Sequence, residues 1–347
     1  MYSEIAVPVT IPSRNEMAGT TAQQDKLKAI GVLAEEICSQ HKRLESLIQS
    51  FRQRIEKIEQ MESRPDSGAS QGSGRYWRLV AFVDSLVRLR LFIEHNFNYI
   101  ETMSVLSVAR YLFELTVWLK LLEKDSRYGL IYYRELLKKQ LEFYGEFRKN
   151  AEREISFLRQ TAASEGKQIG ELMATRLSET TRISDEEAQS AALRQLMNNE
   201  REITEQIDRE AARKFSLYAE QAKTNGYSFQ AYLVETKVLP EYSKAVAELE
   251  QKLRNFENDT PPDIKALVPS RWKWDKQAEC VGMRGEYDFI YGYASRLLHA
   301  TPASLTTNQK NLEPDEMRVF LKYIRVRLLD AVEMAEKLLA EDSVVVQ

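Results

Sequence analysis

From Asp25 onward one seam of positions recurs every three or four residues. It runs Leu27, Ile30, Ala34, Ile37, His41, Leu44, Ile48, Phe51, Ile55 and Ile58, with Glu, Lys, Arg and Gln filling most positions between. A repeat of about 3.5 residues keeps such a seam turned towards one neighbouring helix, so the spacing predicts a heptad helix over 22–62. Its neighbour is a second subunit, which would make the chain a homo-oligomer through residues 25–62, or another helix of this same chain. His41 occupies a seam position, where an imidazole sets register or stays neutral and hydrogen-bonded. Ahead of the helix, residues 1–21 carry Pro8, Pro12 and Gly19 and read as a flexible arm. Behind it, residues 63–75 include SRPDSGASQGSG, the one low-complexity stretch, and read as a flexible linker.

Residues 76–345 then read as a helical bundle. The stripe Leu79, Phe82, Val83, Leu86 and Ile93 is too wide for a surface helix. Between Met103 and Leu122 the chain is apolar nearly all round, which predicts a helix at the centre of its bundle. A long amphipathic helix follows over 128–159, and Gly166 and Gly170 predict a loosening after it. Ser184 and Glu187 fit a capping box opening a charged helix that ends at Asn225-Gly226, so 160–225 reads as a charged helical insertion. Further helices are expected over 228–256, with a kink at Pro240, over 279–299, and from Glu313 to about Ala340, with a loop over 258–269. No segment carries a sustained period of two. The expected class is all-α: a multi-helix bundle with an N-terminal heptad (coiled-coil) helix.

Composition narrows the chemistry. Only 13 glycines and 9 prolines punctuate 347 residues, as long helices require. No apolar run reaches membrane-spanning length, and the first twelve residues lack the basic start and apolar core of a signal peptide. The expected setting is the cytoplasm, with no membrane partner. A net charge of −3 argues against wholesale nucleic-acid binding, although a local basic face would still serve RNA. Three histidines and two cysteines, widely scattered, predict no transition-metal site and no disulfide framework. Neither a Walker loop nor a glycine-rich dinucleotide turn is present, so no cofactor is expected.

Two polar groupings interrupt the apolar pattern. Arg110 and Glu114 lie one turn apart inside the most apolar helix and are placed to pair. Desolvating such a pair roughly cancels its attraction, so it serves either a unique packing or a site. Tyr287, Tyr291, Ser295 and His299 follow at four-residue steps and predict one helical stripe ending in an imidazole. That stripe is either a tyrosine-rich packing face with a capping histidine or a hydrogen-bond ladder feeding a general acid–base group. Ala300-Thr301-Pro302 should end the helix there, where a helix C-terminus favours protonated histidine.

Arg110-x3-Glu114 together with Tyr291-x3-Ser295-x3-His299 resembles a bacterial all-helical family of unknown function, over roughly Tyr76 to Leu339. More loosely, the chain resembles the HEPN superfamily of helical bundles found in phage-defence and toxin systems. Many HEPN members cleave RNA without metal, using an arginine and a histidine from each subunit of a dimer. Here Arg296-Leu-Leu-His299 stands at a closer spacing than that superfamily's usual Arg–His motif. The resemblance implies Arg110, Glu114, Tyr291, Ser295, Arg296 and His299 as site residues of a metal-independent endoribonuclease. Read without it, the chain is equally a non-catalytic scaffold, or a sensor of a ligand or protein partner. Finally, Arg271, Trp272, Lys273 and Trp274 interleave cations with indoles, which either stack unpaired RNA bases or dock the tryptophans into the bundle.

Overall fold

The computed structural model describes residues 14–62, 74–96, 102–180, 186–269, 271–298 and 312–344; some helical side chains, those of 14–23, 95–96 and 296–298 among them, are not described. The fold is all-α, and among the described residues there is no strand. None of the described helices is long and apolar enough to cross a membrane. The chain divides into two compact units, Met1–Tyr133 with Pro261–Gln347, and Arg134–Thr260.

The first unit is organised round one helix. Helices α1 (Arg14–Ser39), α2 (His41–Glu62), α3 (Gly74–Asn96) and α4 (Thr102–Lys124) precede the long α5 (Tyr128–Thr180), whose first residues belong to this unit. As its composition dictates, α4 buries Leu106, Ala109, Phe113, Val117, Leu119, Leu121 and Leu122 completely. Each fully buried large side chain contributes roughly 1.5–3 kcal/mol. Packed round α4 are α3, the segment over 274–298, and α14 (Pro314–Val344). The main chain at the start of α14 is tied to α4, because Leu312 N–H donates to Thr102 Oγ1 at 2.7 Å. Glu316 caps the same helix by accepting from Glu313 N–H at 2.9 Å, with Pro314 in its first turn.

The N-terminal seam finds its neighbours within this chain, one of the two alternatives its spacing allowed. The heptad pattern over 22–62 forms two helices, broken at Gln40 by a tight turn in which Gln40 N–H donates to Ile37 O. Across that break Ile37, Leu44, Ile48 and Phe51 stay buried, and they join the core of the chain's own bundle. Helix α1 packs on α14, while α2 packs on α3 and α14. Phe51 lies parallel to Phe82 of α3, with ring centres 5.9 Å apart. Arg43 grips Glu336 with two bonds of 2.9 and 2.8 Å. A narrow apolar stripe requires only a neighbouring helix, and intramolecular neighbours meet that need. Helix α1 also begins at Arg14, inside the stretch expected to be an arm. Of the linker expected over 63–75, residues 63–73 lie outside the described residues, and Gly74 and Arg75 already belong to α3.

The second unit comprises the remainder of α5, then α6 (Glu186–Arg213), α7 (Ala219–Asn225), α8 (Tyr227–Leu233) and α9 (Leu239–Asp259). Its core gathers Ile155, Phe157, Leu158, Ala211, Ala222, Ala231 and Val234. Gly166 and Gly170 do not loosen α5, which continues to Thr180. Each glycine costs only about 1 kcal/mol relative to alanine, and good helix formers surround both. At Pro240 the helix survives through a π-helical turn over Val234–Val238, which accommodates the missing N–H. Gly226 has φ of 84°, a left-handed conformation suited to glycine, and separates α7 from α8. Within the expected 258–269 loop, α10 (Pro262–Leu267) forms a short helix.

Candidate functional site

The stretch bearing the tyrosine stripe is not the single helix expected from 279 to 299. Helix α11 (Trp274–Cys280) stops at Gly282, whose φ of 73° turns the chain so that Met283 N–H donates back to Ala278 O at 2.7 Å. A short helical turn α12 (Arg284–Glu286), a π-helical turn at Tyr287–Tyr291, and α13 (Gly292–Leu298) follow. The π turn widens the backbone at the point where the tyrosines face α4. Tyr287 and Tyr291 stack with centres 4.8 Å apart, and Phe113 of α4 meets both rings.

This packing brings Arg110, Glu114 and Tyr291 together. Arg110 Nη2 donates to Tyr291 Oη at 2.8 Å, while Arg110 Nε reaches Glu114 Oε1 at 3.4 Å. The guanidinium also lies 4.3 Å from the centre of the Tyr291 ring, within the range of cation–π attraction. Neither charge is deeply buried: the side chains of Arg110 and Glu114 remain 26% and 25% exposed. Burial nevertheless raises the Glu114 pKa above the usual carboxylate range, and Arg110 only partly offsets that rise.

The other expected site residues are placed as follows. Ser295 lies on α13, and its Oγ is buried with no hydrogen-bond partner. Arg296 belongs to α13, but its side chain is not described, and His299 lies outside the described residues. Arg271 and Lys273 are exposed to solvent. Trp272 stacks on Trp118 of α4 with centres 4.0 Å apart and planes 13° from parallel, and Trp274 meets Trp272 edge-on. One face of Trp272 is therefore already occupied within the bundle.

Beside Glu114 opens a pocket of about 610 Å³ between α3, α4, the start of α5 and α11. Tyr111, Trp118, Tyr132 and Trp274 line it with Asp84, Arg88 and Glu114. Tyr132 Oη donates to Asp84 Oδ2 at 3.2 Å. The walls crowd this carboxyl and raise its pKa, although the residue as a whole stays exposed. Tyr132 is pushed upward too, by burial first and by Asp84 second. The sequence reading missed this pocket, because Asp84 and Arg88 look like ordinary solvent-facing charges on α3. The signal was their four-residue spacing beside an otherwise apolar stripe.

Also unforeseen was a charged knot between α12 and α14. Arg327 Nη2 pairs with Glu286 Oε1 at 2.5 Å and Nη1 with Asp330 at 2.6 Å, while Tyr323 Oη donates to Glu286 Oε2 at 3.1 Å. It anchors the short helical turn that leads into Tyr287. The signal was Arg327 standing between Val326 and Leu328 in an apolar helix.

Compared with protein-family models, curated proteins and solved structures, the chain matches none. The fold and the geometry above therefore carry the functional argument.

Proposed function

We propose that this protein is a cytoplasmic defence or stress effector that cleaves RNA without metal, in the manner its HEPN resemblance implies. The observation that supports this reading is the meeting of Arg110, Glu114 and Tyr291 from helices far apart in sequence. In the proposed reaction a ribose 2′-hydroxyl loses its proton and attacks the adjacent phosphate, the P–O5′ bond breaks, and the products are a 2′,3′-cyclic phosphate and a 5′-hydroxyl that takes up a proton. His299 moves the proton, Arg110 or Arg296 stabilises the developing phosphate charge, and Glu114 and Tyr291 orient the guanidinium. Arg271, Trp272, Lys273 and Trp274 contribute contacts to the RNA strand, and a second copy of the chain or another protein completes the assembly. The test is incubation of the purified chain with total RNA and tRNA in EDTA, followed by separation on a denaturing gel. Wild type should cleave and His299→Ala should not. Equal inertness of both, alone and with candidate partner proteins, removes catalysis.

The pocket of about 610 Å³ beside Glu114 favours a second reading, a non-catalytic sensor or scaffold that holds a small ligand. On that reading the Arg110–Glu114–Tyr291 contact only fixes how α4 meets the π turn. Alanine at Arg110 would then lower stability, and neither that variant nor wild type would cleave RNA.

A further inference from the structure

We infer that the second unit pairs with a second copy of this chain along α5, the two α5 helices running antiparallel and Phe143 of each copy entering a pocket beside Phe157 of the other. Lys139, Phe143, Glu146, Asn150, Arg153 and Phe157 follow at steps of four and three, so they share one stripe of α5. From Lys139 to Arg153 that stripe is open: Asn150 is half-buried and the other four residues are exposed. Phe143, 57% exposed, is the only apolar member of that open stretch. Phe147 holds it, with ring centres 4.6 Å apart, and Phe147 leans in turn on Tyr242 of α9 at 5.5 Å. The Phe143 ring is thus fixed in place while it faces water. A pre-positioned aromatic loses little freedom on docking, which suits it to anchor an interface.

Further along the same face lies a pocket of about 720 Å³. Phe157 lines it with Arg153, Ser156 and Ser216, and Lys214 stands over the Phe157 ring at 4.8 Å. Phe215 and Leu217, either side of Ser216 in sequence, are exposed to 76% and 43%. The pocket therefore has an aromatic wall and apolar neighbours. Helix arithmetic selects a second copy as its occupant. With a two-fold axis between Lys149 and Asn150, Phe143 and Ser156 each stand about 10 Å from the axis along the helix. Phe143 of one copy then meets Ser156 and the pocket of the other. Glu146 and Arg153 are also equally far from the axis, so they face each other, twice by symmetry. Arg153 has no ion pair among the described residues, and Glu146 reaches Lys149 of its own helix at 3.0 Å. Glu142 falls opposite Phe157, whose ring carries Lys214. Lys139, Glu142, Glu146, Lys149 and Arg153 mix both signs along the strip. Such a strip suits its own reversed copy better than a polyanion such as RNA. None of these residues takes part in the proposed RNA chemistry.

Light scattering of the full-length chain across a micromolar concentration range tests the pairing. Wild type should pass from the mass of one chain to twice that mass as concentration rises. Phe143→Asp should weaken the dimer by about tenfold or more, the loss expected of a central aromatic anchor. Glu146→Arg sets a cation opposite Arg153, and Arg153→Glu sets a carboxylate opposite Glu146, so each variant alone should stay monomeric. Mixed together, the two should form a dimer, because each copy supplies the charge that the other lacks. Phe143, Glu146 and Arg153 are exposed, so all three variants should keep the wild-type circular dichroism. The mixed charge variants decide the matter should Phe143→Asp misfold. A wild type that stays monomeric, a folded Phe143→Asp chain with an undiminished dimer, or charge variants that remain apart when mixed would each overturn the pairing. RNA cleavage by a monomeric chain would overturn the pairing alone.

Discussion

Arg110 and Tyr291 join helices 181 residues apart in sequence: the guanidinium donates to the phenol at 2.8 Å and lies 4.3 Å from the centre of the same ring. One side chain thus makes a charge-assisted hydrogen bond and a cation–π contact to one partner. Substitution separates the two. Tyr291→Phe keeps the ring and loses the hydroxyl, and hydrogen bonds to charged groups contribute about 1.5–3 kcal/mol. With the guanidinium a quarter exposed, a loss near the low end is expected in urea titrations. Arg110→Ala removes both contacts and leaves Glu114 unpaired, so it should cost more. The double variant should cost less than the sum, with a coupling of about 0.5–3 kcal/mol. Strict additivity would show that the contact contributes nothing.

The N-terminal seam makes a different prediction from the one a coiled coil would. Leu44 and Phe51 are fully buried, and Phe51 lies parallel to Phe82 within the same chain. Phe51→Ala should therefore destabilise the chain by about 3–5 kcal/mol, as core phenylalanine truncations do. Light scattering should show its mass unchanged. A drop in mass with stability preserved would return the seam to a partner subunit.

Asp84 supplies a pH test with a definite sign. Crowding by the pocket walls raises its pKa in the folded chain, so the protonated form suits the fold better than the carboxylate. Such a group adds stability below its unfolded value, about 3.9. That contribution is lost as pH rises through the folded value. Asp84→Asn, fixed in the neutral form, should thus unfold at a higher temperature than wild type at pH 7. The gap should close as pH falls towards 4. A wild type that is the more stable of the two at pH 7 would mean that Tyr132 and Arg88 outweigh the crowding.

These cases show which features the sequence carried. Helix α4 was legible because its apolar residues run all the way round, a pattern that only a central position satisfies. Arg110 and Glu114 were legible as exceptions within it, and the tyrosine stripe as a repeat. The partner of the N-terminal seam was not legible, because a heptad stripe looks alike whether its neighbour belongs to another chain or to this one. The π turns at Val234–Val238 and Tyr287–Tyr291 were also hidden. An inserted residue in a helical ladder changes which side chains share a face without changing the composition. The pocket stayed hidden for a third reason: Asp84, Tyr132 and Trp274 are brought together by packing alone.

The turn between α6 and α7 rests on Glu154, a charge buried to 3% exposure on α5. Its Oε2 accepts from the Ser216 hydroxyl at 2.7 Å and its Oε1 from Leu217 N–H at 2.6 Å. Ser216 Oγ in turn accepts from Ala219 N–H at 3.2 Å, which caps the start of α7. Just before this, Phe215 is held at a φ of 54°, a left-handed conformation that costs a residue with a Cβ about 1–2 kcal/mol. The carboxylate thus holds a strained turn closed through two bonds. Glu154→Ala leaves the part-buried Leu217 N–H and Ser216 hydroxyl without their acceptor, and since an orphan that is fully buried costs about 1–3 kcal/mol, a loss near the low end is expected for each. Glu154→Gln keeps one oxygen for Leu217 N–H and an amino group for the serine oxygen, so it should lose far less. Urea titration followed by circular dichroism should rank wild type, glutamine and alanine in that order. Hydrogen exchange should speed up at Leu217 and Ala219 in the alanine variant. An alanine variant within about 0.5 kcal/mol of wild type, the range of ordinary surface substitutions, would show that the turn closes without the carboxylate.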